Sequence, residues 1–204
     1  MIKRETVYFE EGGAEHTDVT LDLALKAADE LGIKKVVVAS TSGDTGVKTA
    51  ERFKGSGVKV IVVGHQTGYP TPSVNQFKPE NRERIEALGG EVYLGSDVLT
   101  NSIRHRQKLG PSPLSYITQA LIAIRVKVNV EIVAKASDAG LLNPGERAIS
   151  IAGSHWGADT AVVFEANDSV NILDIKPREI IAMPLSRQKA DEEYMKRLRA
   201  AQTS

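Results

Sequence analysis

Four apolar residues in unbroken succession, Val36, Val37, Val38 and Ala39, lead through Ser40 into Thr41, Ser42, Gly43, Asp44 and Thr45 and then into a segment of helical character. A β-branched run of this kind reads as a central parallel strand, because only a strand covered on both faces is apolar at every position. A short, hydroxyl-rich turn that ends such a strand and opens a helix points several backbone amides at one spot beside the positive end of the helix dipole. Gly43 admits backbone conformations and close approaches that a side chain blocks, and the hydroxyls of Thr41, Ser42 and Thr45 can donate to an oxyanion. The same residues also fit a plain helix start capped by Ser42 or Asp44, so the pattern alone leaves both readings open.

The rest of the chain repeats the strand-turn-helix theme. Thr6 to Phe9 reads as a short strand or arm closed by Gly12 and Gly13. Leu21, Ala24, Leu25, Ala28 and Leu31 then keep helical spacing, with Thr17 as the expected cap and Gly32 as the stop. The helix from about Thr45 to Phe53 ends at Gly55 and Gly57, and Val58 to Val63 gives a second continuous apolar strand. From Gly64 to Lys78 runs a loop long enough to act as a lid, with Gly68, Pro70, Pro72 and Asn75 in it. A helix from Pro79 to Leu88, a strand at Val92 to Leu94 and a helical segment capped by Ser96 follow. Residues 115–139 fit strand alternation and helical spacing alike, and their length and the stop at Gly140 favour one helix. Ala148 to Ala152 and Thr160 to Phe164 read as two strands around a glycine-bearing loop, Glu179 to Met183 as a third strand, and Arg187 to Ala201 as a charged helix. The order predicts an α/β fold, a three-layer arrangement with a mostly parallel sheet and helices on both faces. The expected division is one α/β domain over residues 1–184 and a charged helix or tail over 185–204.

Charge bears on the choice of partner. Lysine and arginine total 26 and the acidic residues 26, so no net field gathers nucleic acid or an anionic membrane. No apolar run approaches the roughly 18 residues of a membrane span, and no signal-like stretch opens the chain. A cytoplasmic protein is the expectation, with a homodimer as the default assembly. Cysteine is absent, which excludes disulfides and thiolate chemistry.

Val36 to Thr45, the helix after it and Val58 to Val63 resemble the carboxyl-terminal domain of pyruvate kinase, where a comparable Thr/Ser-Gly turn grips an effector phosphate. Pro144-Gly145-Glu146, the strand at Ile149 to Ile151, and Gly153-Ser154-His155-Trp156-Gly157-Ala158-Asp159-Thr160 resemble that domain's later strand and the loop closing over the same effector. Val7 to Glu10, Val37 to Thr41, Gly157 to Thr160 and Glu179 to Pro184 are similar, more specifically, to a family of free-standing, mostly archaeal proteins with a pyruvate kinase carboxyl-terminal-like fold. The likeness spans nearly all of residues 5–184. It implies the regulatory-type module alone, because the catalytic barrel of roughly 250 residues cannot fit beside it. It also implies a phosphorylated small molecule as ligand, with flavin mononucleotide (FMN) the first candidate. The chain departs from the family pattern at Ala123-Ile124-Arg125 and at Asn167 to Asn171, and no ligand contact is assigned there.

The candidate ligand-binding residues are therefore Thr41, Ser42, Gly43, Asp44 and Thr45, with Gly64 and His65 at the end of the next strand, and Gly153, Ser154, His155, Trp156, Gly157, Asp159 and Thr160 in the later loop. Glu15, His16 and Thr17 are expected neighbours at the same sheet edge. Trp156 offers a flat apolar face and an N–H, against the plainer reading of packing at a domain edge. His65 and His155 have the chemistry for proton transfer near neutral pH, yet neither has a triad partner or metal-ligand spacing visible in the sequence. Asp44 and Asp159 weigh against a simple phosphate pocket, since a nearby carboxylate repels a dianion. Lys127 can reach a phosphate or pair with Glu131 one turn on, and the pairing is the favoured role. Three functions fit: a binding or sensing module for a phosphorylated ligand, an enzyme acting on one through His65 or His155, and an assembly module without a ligand.

Overall fold

The computed structural model describes residues 1–99 and 113–202. Seven strands form one sheet: β1 (Val7–Glu11), β2 (Lys35–Ala39), β3 (Lys59–His65), β4 (Glu91–Gly95), β5 (Arg147–Ala152), β6 (Thr160–Glu165) and β7 (Lys176–Ser186), in the order β1-β7-β6-β5-β2-β3-β4. Among the described residues six helices cover it: α1 (Thr17–Leu31), α2 (Asp44–Arg52), α3 (Pro79–Ala87), α4 (Pro113–Ala123), α5 (Lys127–Asp138) and α6 (Gln188–Gln202). The helical segment expected after Ser96 falls chiefly in residues 100–112, outside the described residues.

Alternation along β2 explains the three layers. Val36 and Val38 face a core shared with Leu21, Ala24 and Ala28 of α1, Val47 and Ala50 of α2 and Ile85 of α3. Val37 faces the other core, built on Val130, Val133 and Ala134 of α5 with Val162 and Phe164 of β6. Every residue from Asn129 to Ala136 is buried, so α5 is an interior helix with no solvent-exposed face over that span.

The sheet is parallel except at β6. β6 runs antiparallel to both β5 and β7, while β1 pairs with β7, and β2 with β3 and β5, in parallel. A parallel crossover needs a dozen or more residues, and the link from Ala152 to Thr160 is shorter than that. The hairpin keeps its loop at the carboxyl end of β5, on the same edge as the ends of β2, β3 and β4.

The helix expected over 115–139 is divided. Arg125 takes a φ of 63°, and its amide donates to Ile122 O at 3.0 Å while Val126 N donates to Leu121 O at 3.0 Å. That pair of bonds is a Schellman stop, formed here around an arginine where glycine is usual. Thr17, expected as the cap of α1, lies inside the helix; its hydroxyl donates to Ala14 O at 2.6 Å and accepts from Ala158 N at 3.0 Å. It ties the start of α1 to the β5–β6 loop.

Candidate functional site

At the carboxyl edge β2 passes into the turn, and Gly43 stands at the head of α2 with a φ of 93°. A side chain there would be strained and would meet Asn81 Cβ at 2.6 Å and Phe77 Cε1 at 2.9 Å. Gly64, at the end of β3, is the matching small residue: a Cβ on it would meet Leu94 at 2.6 Å, Ser40 O at 3.0 Å and Phe77 at 3.2 Å. The ring of Phe77 thus rests on both glycines and closes the Gly64 to Lys78 loop back onto the turn.

Within the turn the five residues divide by role. Ser42 Oγ donates to Asp44 Oδ2 at 2.7 Å, and Ser42 O accepts from Lys78 N and Asn81 Nδ2, each at 3.0 Å. Lys78 Nζ lies 2.9 Å and Asn81 Nδ2 2.7 Å from Asp44 Oδ1. These donors, Ser42 first, hold the Asp44 carboxyl at about 2. Ser42 and Asp44 therefore brace the turn, and Lys78 offsets the charge that weighed against a phosphate. The amides of Gly43 and Thr45 make no hydrogen bond among the described residues, and Thr41 is exposed.

The β5–β6 loop is organised from within. Asp159 is fully buried. Its Oδ2 accepts from Gly13 N and Ser154 N at 3.0 Å each, and its Oδ1 from Thr160 Oγ1 at 2.9 Å. Asp159, Ser154 and Thr160 are interior residues that shape the loop and join it to the end of β1. Gly153 packs against the backbone of Gly157, and Gly157, at a φ of 66°, against Thr17 and Ala14. His155 takes a φ of 69°, uncommon for a residue with a side chain, and presents its ring at the surface beside Trp156.

Helix α6 covers these rings. Tyr194 stacks on His155 at 4.2 Å, Asp191 Oδ1 lies 2.7 Å from His155 Nε2, and the Arg197 guanidinium sits 4.2 Å over the Trp156 ring. Lys189 reaches Glu15 at 3.6 Å, while His16 stacks on Phe9 at 4.1 Å. A groove of about 720 Å³ runs between α4 and α6, lined by Ile122, Arg125, Asp191 and Met195 among others, and no residue of the turn lines it.

Beneath His65 lies a cluster that no motif or spacing in the chain announces. His65 Nδ1 is 3.3 Å from Asp97 Oδ1, and Lys135 Nζ is 3.0 Å from the same oxygen and 2.8 Å from Gly64 O. Asp97 is 7% and Lys135 3% exposed. Burial pushes the Asp97 carboxyl up, but the His65 hydrogen bond and the Lys135 charge outweigh it and leave the carboxyl well below the usual range. One turn back on α5, Lys127 pairs with Glu131 at 2.8 Å, and Glu131 Oε1 accepts from the amides of Val98 and Leu99, the latter at 3.0 Å. Tyr69 packs on His65 with ring centroids 4.5 Å apart, its phenol pushed up by burial and by the charges of Asp97, Tyr194 and Glu131. Among the described residues, no three imidazole or carboxylate groups converge as metal ligands would.

The profile of the pyruvate kinase alpha/beta domain matches residues 18–164, which take in β2 to β5 and all but the last residue of β6. The chain belongs to that family. In pyruvate kinase this domain is a regulatory, ligand-binding unit. Among solved structures, a pyruvate kinase from Cryptosporidium parvum shares 15% identity over 66% of this chain and 20% of its own, at a TM-score of 0.37. The Cryptosporidium parvum pyruvate kinase in complex with ADP shares 16% identity over 90% of this chain and 25% of its own, at a TM-score of 0.38. The chain spans a fifth to a quarter of the length of these enzymes. Among the described residues no helix is long and apolar enough to cross a membrane.

Proposed function

We propose that this chain is a binding or sensing module for a phosphorylated small molecule whose phosphate rests in the Thr41 to Thr45 turn. The observation that carries the reading is the head of α2. There Gly43 and Thr45 present amides with no hydrogen-bond partner among the described residues, at the carboxyl edge of a parallel strand pair. Thr41 and Thr45 add hydroxyl donors, and Lys78 offsets Asp44. FMN is the ligand to test first, on the strength of the resemblance in sequence, and the β5–β6 loop with Trp156 is the place for its ring.

Titration of the protein with FMN, followed by loss of flavin fluorescence, tests the reading. Binding of FMN with much weaker binding of riboflavin supports it, and Gly43→Val abolishes the difference. Equal affinity for FMN and riboflavin removes the turn's assigned role.

A further inference from the structure

We propose that His65 is an acid–base residue of this site, oriented by Asp97 and held in place by the buried ammonium of Lys135. Lys135 Nζ grips both ends of the arrangement: Gly64 O, one residue before His65, at 2.8 Å, and Asp97 Oδ1, the atom nearest the imidazole, at 3.0 Å. A buried ion pair carries a desolvation cost of several kcal/mol per ion. Here the pair stands under a half-exposed histidine at the strand end beside the anion-binding turn. Glu131 reinforces it by holding the two amides that follow Asp97. The Asp97 carboxylate fixes the proton on Nδ1, which leaves Nε2 as the basic nitrogen; Nε2 makes no hydrogen bond among the described residues.

The neighbouring groups define what Nε2 can meet. Gly64 lies against Ser40 O, so β3 ends beside β2 at the edge from which the turn departs, and the His65 ring stands at that edge on the α5 face of the sheet, with Asp97 and Lys135 beneath it. Tyr69 flanks the ring, Asp97 just after β4 and Lys135 of α5 are the ionisable groups beneath it, and Tyr69 in turn feels the charges of Asp97, Tyr194 and Glu131. The substrate class is a phosphorylated small molecule with an ionisable O–H or C–H within reach of Nε2, and this part rests on the reading of the turn given above. In the step, the substrate X–H bond breaks and leaves its electron pair on X. An N–H bond forms at Nε2, and the imidazolium keeps Nδ1–H toward Asp97. The reverse transfer restores neutral histidine, and no other reactant is needed.

Nitrogen-15 NMR of the imidazoles tests the proposal, with His65 assigned by its loss in His65→Gln. In the wild-type protein above its titration, Nδ1 should carry the proton and Nε2 should not. Inorganic phosphate should shift the Nε2 resonance of the wild-type protein and leave that of Gly43→Val where it was. A proton on Nε2 in the wild-type protein overturns the orientation by Asp97. A correct tautomer with no response to phosphate overturns the substrate class and the reading of the turn, while the Asp97–His65 pair stands.

Discussion

The imidazole of His155 and the phenol ring of Tyr194 lie stacked, 4.2 Å apart and within 6° of parallel. A histidine at positive φ in a glycine loop is thus covered by a ring from α6, and Arg197 lies over the adjoining Trp156. The contact is worth about 0.5–1.5 kcal/mol for a stacked ring pair and about 0.5–1 kcal/mol for an exposed cation over an indole. A gain of that size seats a charged helix without fixing it irreversibly. Tyr194→Ala with Arg197→Ala should release α6 from the loop and shift the emission of Trp156, the single tryptophan, to longer wavelength. Emission unchanged from the wild-type protein would count against the seat.

Asp159 concentrates the loop's polar bonding in one buried carboxylate. Three donors, Gly13 N, Ser154 N and Thr160 Oγ1, converge on its two oxygens. Hydrogen bonds to a charged group contribute about 1.5–3 kcal/mol each, and a buried donor left unpaired costs about 1–3 kcal/mol. Asp159→Ala should therefore lower unfolding stability by at least about 3 kcal/mol, a conservative sum of those effects. Urea unfolding reads the loss, and a change under 1 kcal/mol would show that water replaces the carboxylate at no cost.

The Asp44 carboxyl gives a pH dependence with a definite sign. Ser42, Lys78 and Asn81 depress it to about 2, below its ordinary value, so the ionised form is favoured in the folded turn. The resulting stabilisation is present above the ordinary carboxylate range, near 3.9, and is lost as pH falls through about 2. Its side chain is 60% exposed, so the contribution to global stability is small and the carboxyl itself is the group to watch. Carbon-13 NMR should find it titrating near 2 in the wild-type protein and at higher pH in Lys78→Met. An unshifted midpoint in that variant would mean that Lys78 does not hold the carboxylate in solution.

How much of this could be read beforehand follows from what each feature depends on. Val36 to Ala39 and the turn after it were legible because burial on both faces and a hydroxyl-glycine turn leave local signatures. The β5–β6 hairpin was legible in principle: the link from Gly153 to Asp159 is too short for a crossover, but apolar strands look alike in either direction. The stop at Arg125 left no signal, since a Schellman turn is ordinarily recognised by its glycine. Nor could Lys135 be matched to Asp97. They lie 38 residues apart on different elements, and a single lysine in a helix reads as solvated until the burial of α5 is known. Asp44 was weighed against a phosphate on its charge alone, because Lys78 comes to it only through the fold of the intervening loop.

Lys135 and Asp97 support a last prediction that separates structural need from chemistry. Removing one member of a buried ion pair strands the other in a low-dielectric interior and costs about 3–5 kcal/mol, whereas replacing both by apolar groups of similar size is often neutral. Asp97→Leu alone should thus be strongly destabilising, and Asp97→Leu with Lys135→Met should recover much of the loss in urea unfolding. The pH profile should change with it. Asp97 is held below the ordinary carboxylate range, so its contribution is present above that range and fades as pH falls through the folded value. The double variant should lack this part of the acid dependence. If it folds as well as the wild-type protein, the ion pair is dispensable for stability, and its retention beneath His65 belongs to the chemistry of the site. If the double variant is as unstable as the single one, the pair is a packing requirement of α5 against β3 and β4.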